Sequence, residues 1–348
     1  MTVLRPRSEL GRTAIWLTAG LALVCAAVGT TYSTPSPSHS ARDEKYARPG
    51  DIPYPELDPY SQAKFSLGRM LFFDPILSGS RSRSCASCHN PGLSWADGQP
   101  RAIGELQQPL ALRSPTLLNV AWTPKLGWDG HFRDLESVAM GPITSPTNMN
   151  LPEGDLVERL AAIPGYVAAF HDAFGGEITA GKVQMALATF ERSIISDEAP
   201  FDRWIKGDET AIDAAAKRGF ALFNGKANCA ACHSGWAFTD ASFHDIGSAS
   251  GDDVGRARLF HNSVALQYAF KTPTLRDVAR RAPYMHNGAV ATLQDVVELY
   301  DRGGIDRPSR DPEIRPLGLS ADEKADLIAF LRTLDGKSEP VAVPELPR

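Results

Sequence analysis

The sequence predicts a mainly α chain built as two tandem domains, with long irregular segments between short helices. Three observations predict it. The 348 residues fit two domains at roughly 100–200 residues each. A five-residue cysteine motif occurs twice, with Cys229 placed 144 positions after Cys85. Helical periodicity and capping residues recur along the chain, while no long run alternates in the manner of a strand. Composition agrees, since 43% hydrophobic and 22% charged residues are ordinary for a globular protein. A net charge of −5 argues against a nucleic-acid partner, which calls for a basic footprint.

The elements follow in chain order. Residues 1–29 carry Arg5, Arg7 and Arg12, an apolar run from Ala14 to Val28, and the small residues Ala26, Ala27 and Gly29. This is the layout of a secretory signal peptide. The run has 15 residues, short of the roughly 20 that span a bilayer, so no stable membrane association is expected. Val24 is too bulky to precede a lipidated Cys25. Residues 30–50, rich in Ser, Pro and Thr, read as a flexible linker. An N-terminal domain is expected over 51–205 and a C-terminal domain over 206–340.

Ser61–Phe73 reads as a helix stopped by Pro75, and Asp74–Ala111 as loop. Asp155–Phe174 holds two short helical runs broken at Pro164. Thr179 caps a helix reaching toward Ile195. Ala211–Phe223 is Ala-rich and stops at Asn224-Gly225. Thr292 caps Leu293–Arg302, which Gly303 ends. Ser320 and Glu323 form a capping box for a last helix toward Leu334.

The repeated motif carries the chemistry. Its copies are Cys85-Ala86-Ser87-Cys88-His89 and Cys229-Ala230-Ala231-Cys232-His233. This is the signature of covalent c-type haem attachment. Two thiols one turn apart reach both vinyl groups of a porphyrin, and the next imidazole rises under the ring to the iron. A four-thiolate zinc site or a redox-active pair are the alternatives, but neither needs a His directly after each pair. Cys85, Cys88, Cys229 and Cys232 are therefore expected to hold two haem c groups, with His89 and His233 as iron ligands. Covalent haem attachment occurs outside the cytoplasm, so with the signal peptide it places the chain in the periplasm.

Further segments then take on meaning. They are Ser114-Pro-Thr-Leu-Leu-Asn119, Trp128-Asp-Gly130, Gly141-Pro-Ile143, Phe243-His-Asp-Ile-Gly247, Lys271-Thr-Pro-Thr-Leu-Arg276 and Ala282-Pro-Tyr-Met-His-Asn-Gly288. In this order, and with two haem motifs, the chain resembles the bacterial di-haem cytochrome c peroxidases and MauG over about residues 55–335. The resemblance implies two tandem cytochrome c-like haem domains whose haems face one interface. It also implies reduction of hydrogen peroxide, or its use to oxidise a partner. In that family the first haem is the peroxide site. The second iron's other ligand lies 14 residues after the His of the Pro-Tyr-x-His segment, and is Met in ordinary peroxidases and Tyr in the MauG branch. Here that position is Tyr300. Leu293, Val296, Val297 and Tyr300 share an apolar helix face, where a phenol needs a partner. The resemblance makes that partner ferric iron. A backbone carbonyl is the alternative, and Met285 is the rival ligand. Tyrosinate would lower the haem potential, whereas methionine raises it.

The peroxide site departs from the family in places. The stretch Gly104–Arg113 lacks the distal His that can block the first iron, and holds Glu105, Gln107 and Gln108. An accessible first iron is expected. The family's proton-transferring Glu falls at Asn148, whose amide can orient peroxide but cannot act as a base. Glu153 could substitute if its loop folds back, and otherwise a haem-linked water serves. Pro142 matches the pocket proline, and Trp128 is expected between the haems as a carrier of an electron or hole. The family's calcium ligands fall at Ser114, Arg281 and Pro283. A cationic Arg281 would repel calcium and could replace its charge. His244 and His286 are expected to support the haem surroundings, and His131 to be structural. Trp122, Trp204 and Trp236 are packing residues or surface relays. Ala227 stands where MauG has its exit Trp, so any exit route differs.

The expected function is that of a MauG-like oxidase using hydrogen peroxide to oxidise a secreted protein, at tryptophan in particular. The alternatives are a cytochrome c peroxidase fed by a small cytochrome or cupredoxin, and a non-catalytic di-haem electron carrier.

Overall fold

A pair of crossing helices organises each half of the chain. The computed structural model describes residues 44–337 and 340–348; the expected signal peptide and most of the expected linker lie outside them. Helix α1 (Gln62–Phe73) is capped by Ser61, whose Oγ accepts from Lys64 N. The first haem motif forms the single turn α2 (Cys85–Cys88). Helices α3 (Leu135–Thr144), α4 (Glu153–Ala161), α5 (Pro164–Phe174) and α6 (Ala180–Arg192) follow. Helix α6 packs across α1, and α3 and α5 flank the pair. Leu67, Leu71, Phe72, Ile143, Tyr166 and Val183 fill this first core.

The second half repeats the plan. Helix α7 (Pro200–Ile205) leads into α8 (Ala214–Asn224), a 3-10 turn at Cys229–Ala231, α9 (Leu293–Arg302) and α10 (Ala321–Arg332). Helix α8 crosses α10 as α1 crosses α6, around Phe201, Phe220, Phe223 and Phe330. Strand content among the described residues is minor: β1 (Phe243–His244) pairs antiparallel with β2 (Phe270–Lys271). No helix among the described residues is long and apolar enough to cross a membrane.

The crossings depend on one glycine each. A Cβ on Gly68 would overlap the carbonyl of Ala186, and one on Gly219 the carbonyl of Asp326. In each case a phenylalanine one turn further on, Phe190 or Phe330, closes over the glycine. Gly219→Ala must push two backbones apart, which costs about 3 kcal/mol or more. Gly154→Ala, on an open face of α4, is expected to gain about 0.5–1 kcal/mol. Denaturant unfolding of the two holo variants checks both signs.

Most sequence-based boundaries agree to within a few residues, and four features differ. Helix α3 was not foreseen, because Gly141 and Pro142 interrupt its pattern. Asp134 starts it, accepting from Ser137 N at 2.7 Å. Helix α7 sends Phe201, Trp204 and Ile205 into the second core, so packing draws it into the second domain. Tyr46, at the end of the expected linker, is buried in that core and donates to Asn224 Oδ1 at 2.8 Å. A flexible tether does not describe this residue. The C-terminal segment returns to the first domain, where Arg69 donates to Ala342 O at 2.6 Å.

Candidate haem sites and the region between them

Both haem motifs close the same turn. His89 N donates to Cys85 O, and His233 N to Cys229 O, each at 2.9 Å. The ring of His89 places Nδ1 3.2 Å from Trp95 O, and that of His233 places Nδ1 2.8 Å from Phe238 O. A proton on Nδ1 shared with a carbonyl leaves the Nε2 lone pair free for a metal. Burial lowers the pKa of both imidazoles, which keeps them in the neutral, ligating form. The residue before each accepting carbonyl is itself held. Thr116 Oγ1 donates to Ser94 O and Thr274 Oγ1 to Ala237 O, both at 2.6 Å. The Pro-Thr-Leu sequence common to two of the recognised segments thus clamps the chain that orients each histidine.

The thiols fit covalent capture and not metal exchange. Burial pushes Cys85 and Cys88 up, and Cys229 up to about 12, so none is a ready thiolate. The pairs pack in separate cores, so they do not form the four-thiolate zinc site. Cys232, Asp240 and His244 do cluster. However, His244 places Nε2 2.9 Å from Asp240 and Nδ1 2.6 Å from Asp311. The hydrogen bond to Asp240 leads in pushing its pKa up to about 11. With both nitrogens engaged, this imidazole has no lone pair free for a metal.

Beside the second motif lies a cavity of about 260 Å³, partly open to solvent, whose walls include Cys229, Cys232, His233, Met285, Leu293 and Tyr300. Helix α9 presents Tyr300 there, with Leu293 and Val297 buried on the same face. No hydrogen bond to the Tyr300 hydroxyl is formed by the described residues, so the backbone-carbonyl alternative is not what the structure contains. Burial and the nearby Cys229 and Cys232 push the phenol up. The surrounding charge suits a haem. Lys271, on the cavity wall, is pushed down to about 8 by burial, and Arg113 Nε is buried without a partner. Cations in this state match the propionates that a haem would bring.

Trp128 stands on the same wall, where the two domains meet. Its indole donates to Arg113 O at 3.0 Å, and its carbonyl accepts from Lys271 N at 2.8 Å. The following turn is pinned by Arg256, which donates to Asp129 O at 2.6 Å. His286 lies 6.4 Å from the Trp128 ring, stacks on Phe270 at 3.5 Å and meets Asp253 at 2.6 Å. Arg113 N donates to His286 O at 3.0 Å. Arg113 also reaches Arg281 O through Nη2 at 3.0 Å, and Ser114 Oγ lies 3.3 Å from His89 Nδ1. Pro283 follows a cis peptide bond. Trp122 and Trp236 pair edge to face at 4.9 Å.

In the first domain, Pro142 sits in α3, and its carbonyl accepts from Met149 N at 3.1 Å, folding back the loop that bears Asn148. Glu153 is not folded inward. It is exposed in the first turn of α4, where a carboxylate is favoured by the helix dipole. The acidic residue whose backbone meets this loop is Glu105. Its N donates to Thr147 O at 2.9 Å, its Oε1 accepts from Ser80 N at 3.1 Å, and its Oε2 is buried with no partner. Two residues earlier, Ile103 O lies 4.0 Å from Cys88 Sγ.

Glu191, near Cys85, is a second buried carboxyl, and burial raises its pKa to about 8. Its folded pKa exceeds the ordinary 4.5, so its stabilising effect is full below that value and is lost as pH rises toward 8. Glu191→Gln should therefore gain stability relative to the parent between pH 5 and 9, read from melting curves.

Sequence reasoning did not assign roles to Glu105, Arg113 or Lys271. Arg113 adjoins one recognised motif and Lys271 opens another, and that was the available signal. Glu105 had none beyond filling the place of a missing histidine.

Comparison with known proteins agrees with this geometry. A family model described as di-haem cytochrome c peroxidase matches residues 62–210, and one described as cytochrome c matches residues 216–335. Methylamine utilization protein MauG of Methylorubrum extorquens is 51% identical over 311 residues, covering 88% of each chain. Cytochrome c551 peroxidase of Nitrosomonas europaea is 33% identical, covering 85% of this chain and 86% of that one. The crystal structure of a MauG-like protein associated with microbial copper homeostasis superposes with a TM-score of 0.78 at 29% identity, covering 84% of this chain and 96% of that one. The two domains are thus tandem cytochrome c-like units, each with one c-type haem, and the activity is that of a haem-dependent oxidoreductase. The chain belongs to the di-haem cytochrome c peroxidase family that includes MauG.

Proposed function

We propose that the chain is a periplasmic oxidase that uses hydrogen peroxide to withdraw electrons from another secreted protein, at a tryptophan side chain. Tyr300 carries this reading: its phenol faces the cavity of His233 with no hydrogen-bond partner among the described residues. Were a haem held by His233, Tyr300 would be the residue placed to supply its iron with an oxygen ligand. When bound, the first haem supplies the iron at which the peroxide O–O bond is cleaved by two electrons. The chain's own residues do the rest. His89 and His233 present neutral Nε2 atoms. Glu105 takes the proton from the near oxygen of peroxide and returns it to the far one, the task Asn148 cannot perform. Asn148 orients the peroxide. Trp128, wedged between Arg113 and Lys271, passes one oxidising equivalent toward the second domain. Two electrons and two protons turn each peroxide into two waters, and the partner side chain supplies the electrons.

A stopped-flow titration of the fully ferric protein with one equivalent of peroxide tests the reading. Rapid reaction and a long-lived near-infrared absorbance are expected. Met285 favours a second reading, because it lines the same cavity. If Met285 ligates instead, the second haem is high-potential and the protein is a peroxidase fed by a small redox protein. Reaction only after one haem is reduced would establish that reading and displace the first.

A further inference from the structure

The family resemblance implies a calcium ion between the haem domains, and the residues at that place do not suit one. Calcium takes six to eight oxygens. Of the expected donors, Ser114 Oγ is turned to His89 Nδ1 at 3.3 Å. The carbonyl of Arg281 already accepts from Arg113 Nη2 at 3.0 Å. The Arg281 side chain is buried too, donating to Asp277 O at 3.3 Å and Thr274 O at 2.5 Å. The Arg113 guanidinium therefore takes one expected donor, a second guanidinium lies buried close enough to feel its charge, and like charge opposes a further cation there.

We propose that Arg113 and Arg281 replace calcium as the fixed positive charge of this interface, so that the holo protein needs no divalent cation there. The geometry gives the replacement a function. Through one residue, Arg113, the backbone N–H holds His286, the carbonyl holds the Trp128 indole, and Nη2 holds the Arg281 carbonyl. One residue thus ties the first domain to the Arg281–His286 segment of the second: its side chain holds Arg281, and its backbone holds His286 and the Trp128 ring. A covalently fixed cation cannot be removed by a chelator or diluted away.

Elemental analysis of the di-haem protein, purified with calcium present and no chelator, tests this first. Calcium far below one per chain is expected, with ferric optical and EPR spectra unchanged after dialysis against EGTA. Near-stoichiometric calcium, lost to EGTA with a change in either spectrum, would overturn the proposal. The double variant Arg113→Gln/Arg281→Thr then asks whether the guanidiniums stand in for the ion. With both haems retained, it should take up calcium in titration calorimetry where the parent takes up none. A folded double variant that neither binds calcium nor differs from the parent in EPR would also overturn it. The wild-type measurement decides alone if that variant does not assemble.

Discussion

Tyr300→Phe is expected to change the optical and EPR spectra of the second haem and to raise its potential by on the order of 0.1 V, within the range of about 0.8 V that axial ligands set. The long-lived near-infrared state after peroxide should be lost with it. The substitution is clean for a physical reason. A buried tyrosine normally loses a hydrogen bond on removal of its hydroxyl, but no described residue bonds the hydroxyl here. Phenylalanine keeps the ring on α9, whose buried Leu293 and Val297, Thr292 cap and Gly303 stop are untouched. Stability should therefore stay within about 0.5 kcal/mol of the parent. Burial raises the phenol's pKa, so a phenolate needs a strong local cation, which ferric iron provides. Redox titration of the two haems checks the shift. An unchanged spectrum would remove the tyrosine ligand from the account, and a Met285-ligated peroxidase would then be the better one.

The parts of this site that were legible in the sequence are those fixed by local chemistry. Covalent capture of a porphyrin demands two thiols and an imidazole at set spacing, so Cys85–His89 and Cys229–His233 declare themselves. Helix α9 was equally plain, because a cap at Thr292, an apolar stripe and a glycine stop all lie within a dozen residues. What escaped depends on distant partners. Gly68 and Gly219 look like poor helix residues until α6 and α10 lie across them. Arg113 gains its meaning from Arg281, 168 positions away. Tyr46 seemed part of a tether because nothing near it in sequence is apolar enough to reveal the core it enters. Glu153 was named as a substitute base on proximity in sequence to Asn148, yet two residues of helix start were enough to carry it into solvent.

Glu105→Gln is expected to slow the reaction of the ferric protein with peroxide by about 10²–10⁴-fold, the usual worth of a positioned acid–base group. Glutamine keeps an oxygen at Oε1 for Ser80 N, and the Glu105 N bond to Thr147 O is backbone. The fold of the pocket should therefore survive, with ferric spectra and haem content unchanged. What is lost is a buried carboxylate on the residue whose backbone N pairs with Thr147 O, next to Asn148. Its Oε2 is buried and unpartnered, a costly arrangement for an acceptor unless something brings it a proton. Peroxide at the first haem would do so. A merely structural glutamate predicts a different outcome: the variant would lose stability and keep its rate. Rescue separates the two cases further. Asn148→Glu, added to Glu105→Gln, returns a carboxylate to the same pocket from the neighbouring loop and should recover much of the rate. If Glu105→Gln reacts as fast as the parent, water must move the proton, and the departure at Asn148 is tolerated without a substitute side chain.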